Sequence, residues 1–152
     1  MGKMKITTRF LEALGTSLKK ETVTWEHVSN TQWKRLFLLA EQQQVLPLVF
    51  EAVCNCLAVR EEQELLAFYR KKMFEQTAMQ AVKTNEFLKI YKRICEQGIR
   101  PLVIKGLVCR QLYEFPNHRV STDEDVLILP EEFAQVHEIL SAEGMDVKGT
   151  TE

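Results

Sequence analysis

Two aspartates, Asp123 and Asp125, stand two residues apart at the start of an apolar run from Val126 to Leu129. Residues two apart in an extended strand point to the same face, about 6.6 Å apart along the chain. Like charges placed side by side repel unless a cation lies between them. A pair of Mg²⁺ ions bound by carboxylates is a known solution in phosphoryl and nucleotidyl transfer. The pattern makes Asp123 and Asp125 candidate metal ligands and catalytic residues. The alternative is a solvated acidic turn leading into a buried strand.

Lys105 and Gly106 directly follow a predicted strand and form a second candidate site. A glycine at a strand end lets backbone N–H groups approach a phosphate, and the lysine beside it could neutralise triphosphate charge. Arg119, four residues before Asp123, could bind a phosphate or Asp123 itself. Each feature also has a plainer interpretation, because Lys-Gly pairs often form turns without ligands and many arginines simply lie on the surface.

The first part of the chain is predicted to be helical. Apolar side chains recur at three- and four-residue spacing over residues 9–20 and again after Asn30, a residue type that caps helices. Pro47 suits the first turn of a short helix. Residues 60–97 contain neither glycine nor proline, which predicts a long helix ending at Gly98.

After Gly98 the pattern changes to short apolar runs separated by Gly, Pro and Asn. The sequence therefore predicts an α+β fold, with a helical region over residues 1–98 and an αβ region over residues 99–152. The apolar run after Asp125 is expected to anchor its strand in a core, leaving the carboxylates at the exposed start. The predicted elements of the second region are a buried strand at 101–104, helical turns at 107–114, a strand at 123–129, a helix at 131–143 and the start of a third strand at 145–147.

The composition excludes several classes of protein. With 152 residues, 45% hydrophobic and 27% charged, the chain matches an ordinary globular domain. Its net charge of −1 gives no general attraction to nucleic acid, which argues against a long nucleic-acid partner. No apolar run approaches the roughly 20 residues that span a bilayer, so no membrane partner is expected and a cytoplasmic location follows by default. The four cysteines are interpreted as reduced thiols, because their spacing suits neither zinc nor a local disulfide.

Taken together, these motifs are more specific than any one of them. Their combination resembles a family of largely uncharacterised bacterial nucleotidyltransferases in the DNA polymerase β-like superfamily. The resemblance covers most of the chain from about Trp25 to Gly144. The residues that carry it are Val45-Leu46-Pro47-Leu48, Gly98-Ile99, Ile104-Lys105-Gly106, Leu112-Tyr113, Pro116, Arg119 and the Asp123-x-Asp125 pair with its apolar tail.

The resemblance implies a mixed αβ nucleotidyltransferase fold, of which this chain supplies the front half of the sheet. It also implies two Mg²⁺ ions and the transfer of a nucleoside monophosphate from a nucleoside triphosphate to an acceptor that the sequence does not identify. By position in the motif, Asp123 and Asp125 would bind the metal ions. Lys105 and Gly106 occupy the turn that contacts the triphosphate in the wider superfamily, and Arg119 is a further nucleotide-binding candidate.

Three departures from the family pattern leave the function open. The residue between the two aspartates is usually aliphatic in the family, and here it is Glu124. The superfamily normally supplies a third carboxylate from a later strand, and neither Asp146 nor Glu152 can be assigned to that role. The family is usually much longer, so the chain is expected to be a truncated version.

Two functions are therefore compatible with the sequence. One is a Mg²⁺-dependent enzyme, and the alternative is a non-catalytic module that keeps half of the fold and binds a nucleotide or a protein partner. The edge of a half-sheet favours aggregation unless it is paired or covered. We therefore expect either a homodimer or helices folded over that edge.

Overall fold

The computed structural model describes residues 5–148 and has an α+β fold, as predicted. It is mostly helical, with one small sheet of two antiparallel strands among these residues. Short 3₁₀ turns occur at Leu57–Val59, Pro116–His118 and Pro130–Glu132. The helices and strands are α1 (Ile6–Leu18), α2 (Asn30–Gln42), α3 (Leu46–Val53), α4 (Gln63–Glu96), β1 (Leu102–Val103), α5 (Leu107–Arg110), β2 (Val126–Leu127) and α6 (Phe133–Ala142).

The chain divides into two compact units, with the division inside α4 between Met79 and Gln80. The helical unit comprises residues 5–79 and 117–120 of the described chain, and the carboxylate unit comprises residues 80–116 and 121–148. The domain limits predicted from the sequence, 1–98 and 99–152, remain a prediction.

The start of α2 is fixed by a capping box. The Ser29 side chain accepts a hydrogen bond from the Gln32 N–H, and the Gln32 side chain accepts one from the Ser29 N–H. The prediction that Asn30 caps this helix is wrong, because Asn30 is its first helical residue. The Asn30 side chain donates instead to Glu62 at 2.5 Å.

The core of the helical unit is apolar and aromatic. Four residues of α2 at the predicted spacing are all fully buried, namely Trp33, Leu36, Phe37 and Ala40. The ring of Phe37 stacks on that of Tyr69 with centroids 4.4 Å apart. Pro47 lies in the first turn of α3, also as predicted, and is fully buried. The periodic apolar faces of this region therefore pack against one another.

The long helix predicted over residues 60–97 is confirmed as α4, Gln63–Glu96. Gly98 follows it with φ of +85°, the left-handed conformation expected at the end of a helix. None of the described helices is long and apolar enough to cross a lipid bilayer.

The two strands lie within the segments predicted from the sequence and pair with each other, but they are shorter and more exposed than predicted. Leu102 lies opposite Leu127, and Val103 lies opposite Val126. Leu102 and Leu127 are 61% and 57% exposed, so the prediction of buried strands is wrong. The described part of the sheet has only two strands, and nothing in it covers these side chains. Residues 145–148 form no strand.

The carboxylate unit has a small apolar core. Its buried members are Ile94, Ile99 and Val136, with Ile128 and Leu140 packed beside them. The helix predicted at 131–143 is confirmed as α6, which follows the 3₁₀ turn Pro130–Glu132.

Candidate functional site

The two aspartates lie next to the Lys105-Gly106 turn. Asp125 immediately precedes β2, and its carbonyl accepts a hydrogen bond from the Ile104 N–H at 3.0 Å. This bond extends the β1–β2 pairing by one residue beyond the strands themselves. The antiparallel register thus brings residues 104–106 against residues 123–125. Both segments belong to the carboxylate unit.

Asp125 and Lys105 form an ion pair on the surface of this unit. The Lys105 Nζ lies 3.1 Å from Asp125 Oδ2, and the two side chains are 68% and 44% exposed. The hydrogen bond to Asp125 and the charge of that carboxylate raise the pKa of the Lys105 ammonium, and the charge of Asp123 adds to the rise. The fields of both aspartates therefore act on one ammonium group.

Asp123 is exposed to solvent. The Thr122 hydroxyl donates to its Oδ1 at 3.3 Å. Asp123 and Asp125 thus offer carboxylate oxygens that a ligand can reach from solvent.

Glu124, between the two aspartates, lies in a different environment. Its side chain is only 13% exposed and forms an ion pair with the Arg110 guanidinium. Its other carboxylate oxygen, Oε2, accepts a hydrogen bond from the Leu107 N–H at 2.6 Å. The strand predicted over residues 123–129 does not include this position. The strand begins at Val126, and Glu124 is largely buried and bonded.

Gly106 is required by the close approach of Glu124. A Cβ atom at this position would lie 1.7 Å from Glu124 Oε2. Its φ of +58° is also a conformation that side-chain-bearing residues rarely adopt. The glycine therefore admits the chain's own carboxylate, which binds the neighbouring Leu107 N–H. Its contact with a triphosphate remains a prediction.

Arg110 connects several parts of this unit. Its side chain is 2% exposed and donates to Glu124, to the Ser121 hydroxyl and, at 2.5 Å, to the Thr84 hydroxyl. The Ser121 N–H in turn donates to the Gln80 Oε1 at 2.9 Å. Sequence reasoning missed Arg110, because no motif or spacing links it to Glu124. The one available signal was the carboxylate at a normally aliphatic position.

Arg119 remains a predicted nucleotide-binding residue. It is half-buried and lies in the segment 117–120, which belongs to the helical unit. In the same segment, His118 Nδ1 lies 3.2 Å from Glu51 Oε1.

Comparison with known protein families places the chain. A family model described as uncharacterised nucleotidyltransferase matches residues 29–152. The chain belongs to this nucleotidyltransferase family. The match includes the Lys105-Gly106 turn and both aspartates, and it confirms the family-level resemblance. No curated protein and no solved structure matches the chain.

The two aspartates are of the donor type that would suit Mg²⁺ held jointly by protein and substrate. Mg²⁺ often takes one or two carboxylates and completes its octahedron with water and substrate phosphates. Asp123 and Asp125 supply that number of accessible carboxylates. Within residues 5–148, no group of three or more His, Cys, Asp or Glu side chains is placed to hold a metal ion. Asp146 is exposed in a stretch without regular structure, and Glu152 lies outside the described residues.

Proposed function

We propose that this nucleotidyltransferase binds a Mg²⁺–nucleoside triphosphate through Asp123 and Asp125 and transfers the nucleoside monophosphate to an acceptor. The observation that carries the proposal is the ion pair between Lys105 and Asp125 beside Gly106, with the exposed carboxylate of Asp123 two residues from Asp125. Two accessible carboxylates beside one exposed lysine are suited to a ligand that carries both metal ions and phosphates. Membership of the family supports the same reaction class.

Each side chain has a distinct task in this proposal. Asp123 and Asp125 hold the metal ions, which, when bound, polarise the α-phosphate and stabilise the departing pyrophosphate. Lys105 forms an ion pair with Asp125, and its flexible stem allows the ammonium to reach a phosphate oxygen. The acceptor oxygen forms a bond to the α-phosphorus, the bond from that phosphorus to pyrophosphate breaks, and the acceptor's proton passes to solvent.

Calorimetry with ATP, GTP, CTP and UTP, each with Mg²⁺, tests the proposal. The wild-type chain should bind at least one of the four, and EDTA should abolish the heat. Asp123→Asn/Asp125→Asn should weaken binding by at least about tenfold, because both metal ligands lose their charge. Glu131→Gln/Glu138→Gln, which removes two exposed carboxylates from the same unit, is the matched control and should bind like the wild type. Equal heats for the wild type and the Asp123/Asp125 variant would refute the metal-site assignment.

The alternative is a module that binds nucleotide without transferring it. It is favoured by the absence of a group of three metal-ligating side chains within the described chain. Release of pyrophosphate during incubation with the nucleotide that binds best distinguishes the two functions. Release that depends on Asp123 and Asp125 supports the enzyme. Tight binding without release, in the presence of candidate hydroxyl acceptors, supports the module.

A further inference from the structure

Arg110 is a charged side chain in the interior of the carboxylate unit, where it is only 1% exposed overall. Removing a charge from water is costly unless the charge is paired and hydrogen-bonded. Arg110 meets most of that requirement through Glu124, Ser121 and Thr84, while its buried Nε has no hydrogen-bond partner within residues 5–148. Even so, a buried ion pair of this kind commonly adds little net stability compared with apolar residues of similar volume. Its presence is better explained by the groups that it places.

Glu124 connects the two segments of the site, residues 104–106 and 123–125, through its carboxylate. One of its oxygens accepts from Arg110 and the other accepts from the Leu107 N–H. Arg110 and Leu107 are the last and first residues of α5. The carboxylate therefore ties the chain between the two aspartates to the helix that directly follows the Lys105-Gly106 turn.

The segment that carries Asp123 is held on both sides of that residue. Before it, Ser121 is bonded through its hydroxyl to Arg110 and through its N–H to Gln80. After it, Glu124 is bonded to Arg110. One guanidinium thus contacts the chain two residues before Asp123 and one residue after it.

Glu124 and the two aspartates beside it differ in their exposure to solvent. Glu124 is 13% exposed, whereas Asp125 is 44% exposed and Asp123 is open to solvent. Glu124 therefore faces inward onto Arg110, while the aspartates on either side of it are in contact with solvent.

We propose that Arg110 and Glu124 are positioning residues, whose buried ion pair presents Asp123 and Asp125 on one side of the chain and so prepares the metal site. This role rests on the proposed function, since it assigns the pair to the same site. Neither residue contacts the ligand. They act through the backbone of residues 121–125 and through the Leu107 N–H.

Titration with Mn²⁺, followed by electron paramagnetic resonance of the free ion, tests this role without requiring turnover. Arg110→Met/Glu124→Leu removes the pair without leaving a buried charge, so its melting temperature should stay close to that of the wild type. Its Mn²⁺ affinity should fall about 10- to 100-fold, as happens when groups that orient metal ligands are removed. A purely structural pair would change the melting temperature and leave the affinity of the folded protein unaltered.

A second variant keeps the test decisive if the double variant fails to fold. Glu124→Gln keeps one oxygen acceptor and the shape of the side chain, so it should lose less affinity than Glu124→Ala. Because both variants leave the Arg110 charge buried without its carboxylate, their affinities are compared at a temperature at which circular dichroism shows both to be folded. Equal Mn²⁺ affinities for the wild type, Glu124→Gln and Glu124→Ala would overturn the positioning role. Asp123→Asn/Asp125→Asn separates the two hypotheses. If only this variant loses Mn²⁺, the proposed function stands and the positioning role fails. If the wild type itself binds no Mn²⁺, both fail.

Discussion

The largest fully buried side chains of the helical unit are those of Trp33, Phe37 and Leu36, whereas the largest of the carboxylate unit is that of Arg110. The first set packs by shape and apolar area. Arg110 is held by an ion pair and two hydroxyl groups, all of which demand a direction as well as a distance. The two units are therefore stabilised by different kinds of contact.

The small apolar core of the carboxylate unit affects how the candidate site is held in place. The carboxylate unit has few buried apolar residues, and an apolar cavity of about 340 Å³ lies among side chains that include Phe87, Ile94 and Val136. Its strands contribute only two residues each. Apolar packing alone therefore restrains the positions of Asp123 and Asp125 only weakly. Directional polar contacts supply the rest, and they place the candidate ligands at the surface.

The largest loss of stability is expected when an aromatic side chain is removed from the core of the helical unit. Trp33→Ala should lower the free energy of unfolding by about 3–5 kcal/mol, because it removes a fully buried ring and leaves a cavity. Urea denaturation followed by circular dichroism measures the loss. Leu38→Ala, on the same helix but 50% exposed, should cost much less. A loss below about 1 kcal/mol for Trp33→Ala would contradict the picture of a tightly packed core.

In the carboxylate unit, the corresponding test is Gly106→Ala. We expect a loss of about 1–3 kcal/mol from the positive φ, and more if Glu124 cannot move away from the new Cβ. Gly15→Ala is the matched control. Gly15 lies within α1 and its added methyl would meet no atom within 4 Å, so this change should stabilise by about 0.5–1 kcal/mol. Opposite signs in thermal denaturation are the expected outcome, and a neutral Gly106→Ala would contradict the observed turn.

A smaller effect should follow from Ser29→Ala at the start of α2. The change removes the side-chain acceptor for the Gln32 N–H and should cost about 1 kcal/mol. Ser141→Ala, on the exposed side of α6, has no such bond to lose and should be neutral or slightly favourable. Chemical denaturation of both variants compares them directly. Equal losses would mean that the capping box contributes nothing measurable.

The smallest expected effects are those of exposed ion pairs, which should be alike in both units. Lys71–Glu75 and Lys92–Glu96 are exposed i,i+4 pairs on α4, at 3.9 and 3.8 Å. Each should contribute about 0.3–0.5 kcal/mol in a double-mutant cycle and less at high salt. A coupling energy above about 1 kcal/mol in either pair would contradict the expectation that exposed ion pairs contribute little here, in contrast to the buried Arg110–Glu124 pair.

The helices could be predicted from the sequence because their pattern is local. The apolar spacing of α2 and the uninterrupted run of α4 reflect contacts within a few turns of one helix. Ser29 and Asn30 are both capping types, and only the glutamine three residues after Ser29 marks the correct choice. Boundaries within a residue or two depend on such details.

The strands and the interior of the site depend on contacts distant in sequence. The apolar run after Asp125 predicted a long buried strand, but burial requires neighbouring strands, and only two are present among residues 5–148. The motif marked Lys105 and Asp125 as candidate residues, and the structure adds the ion pair between them. The pairing of Glu124 with Arg110, across α5 and its following loop, leaves no periodic trace in the sequence.

The binding of metal and nucleotide by Asp123 and Asp125 is tested by a crystal structure with Mn²⁺ and a non-hydrolysable nucleoside triphosphate. Anomalous diffraction data locate the Mn²⁺ ion. We expect a metal ion bound by oxygens of both Asp123 and Asp125, with Lys105 Nζ moved from Asp125 to a phosphate oxygen. Glu124 should remain on Arg110 and the Leu107 N–H. A nucleotide bound elsewhere, with Lys105 still paired to Asp125 and no metal ion on either aspartate, would contradict this expectation.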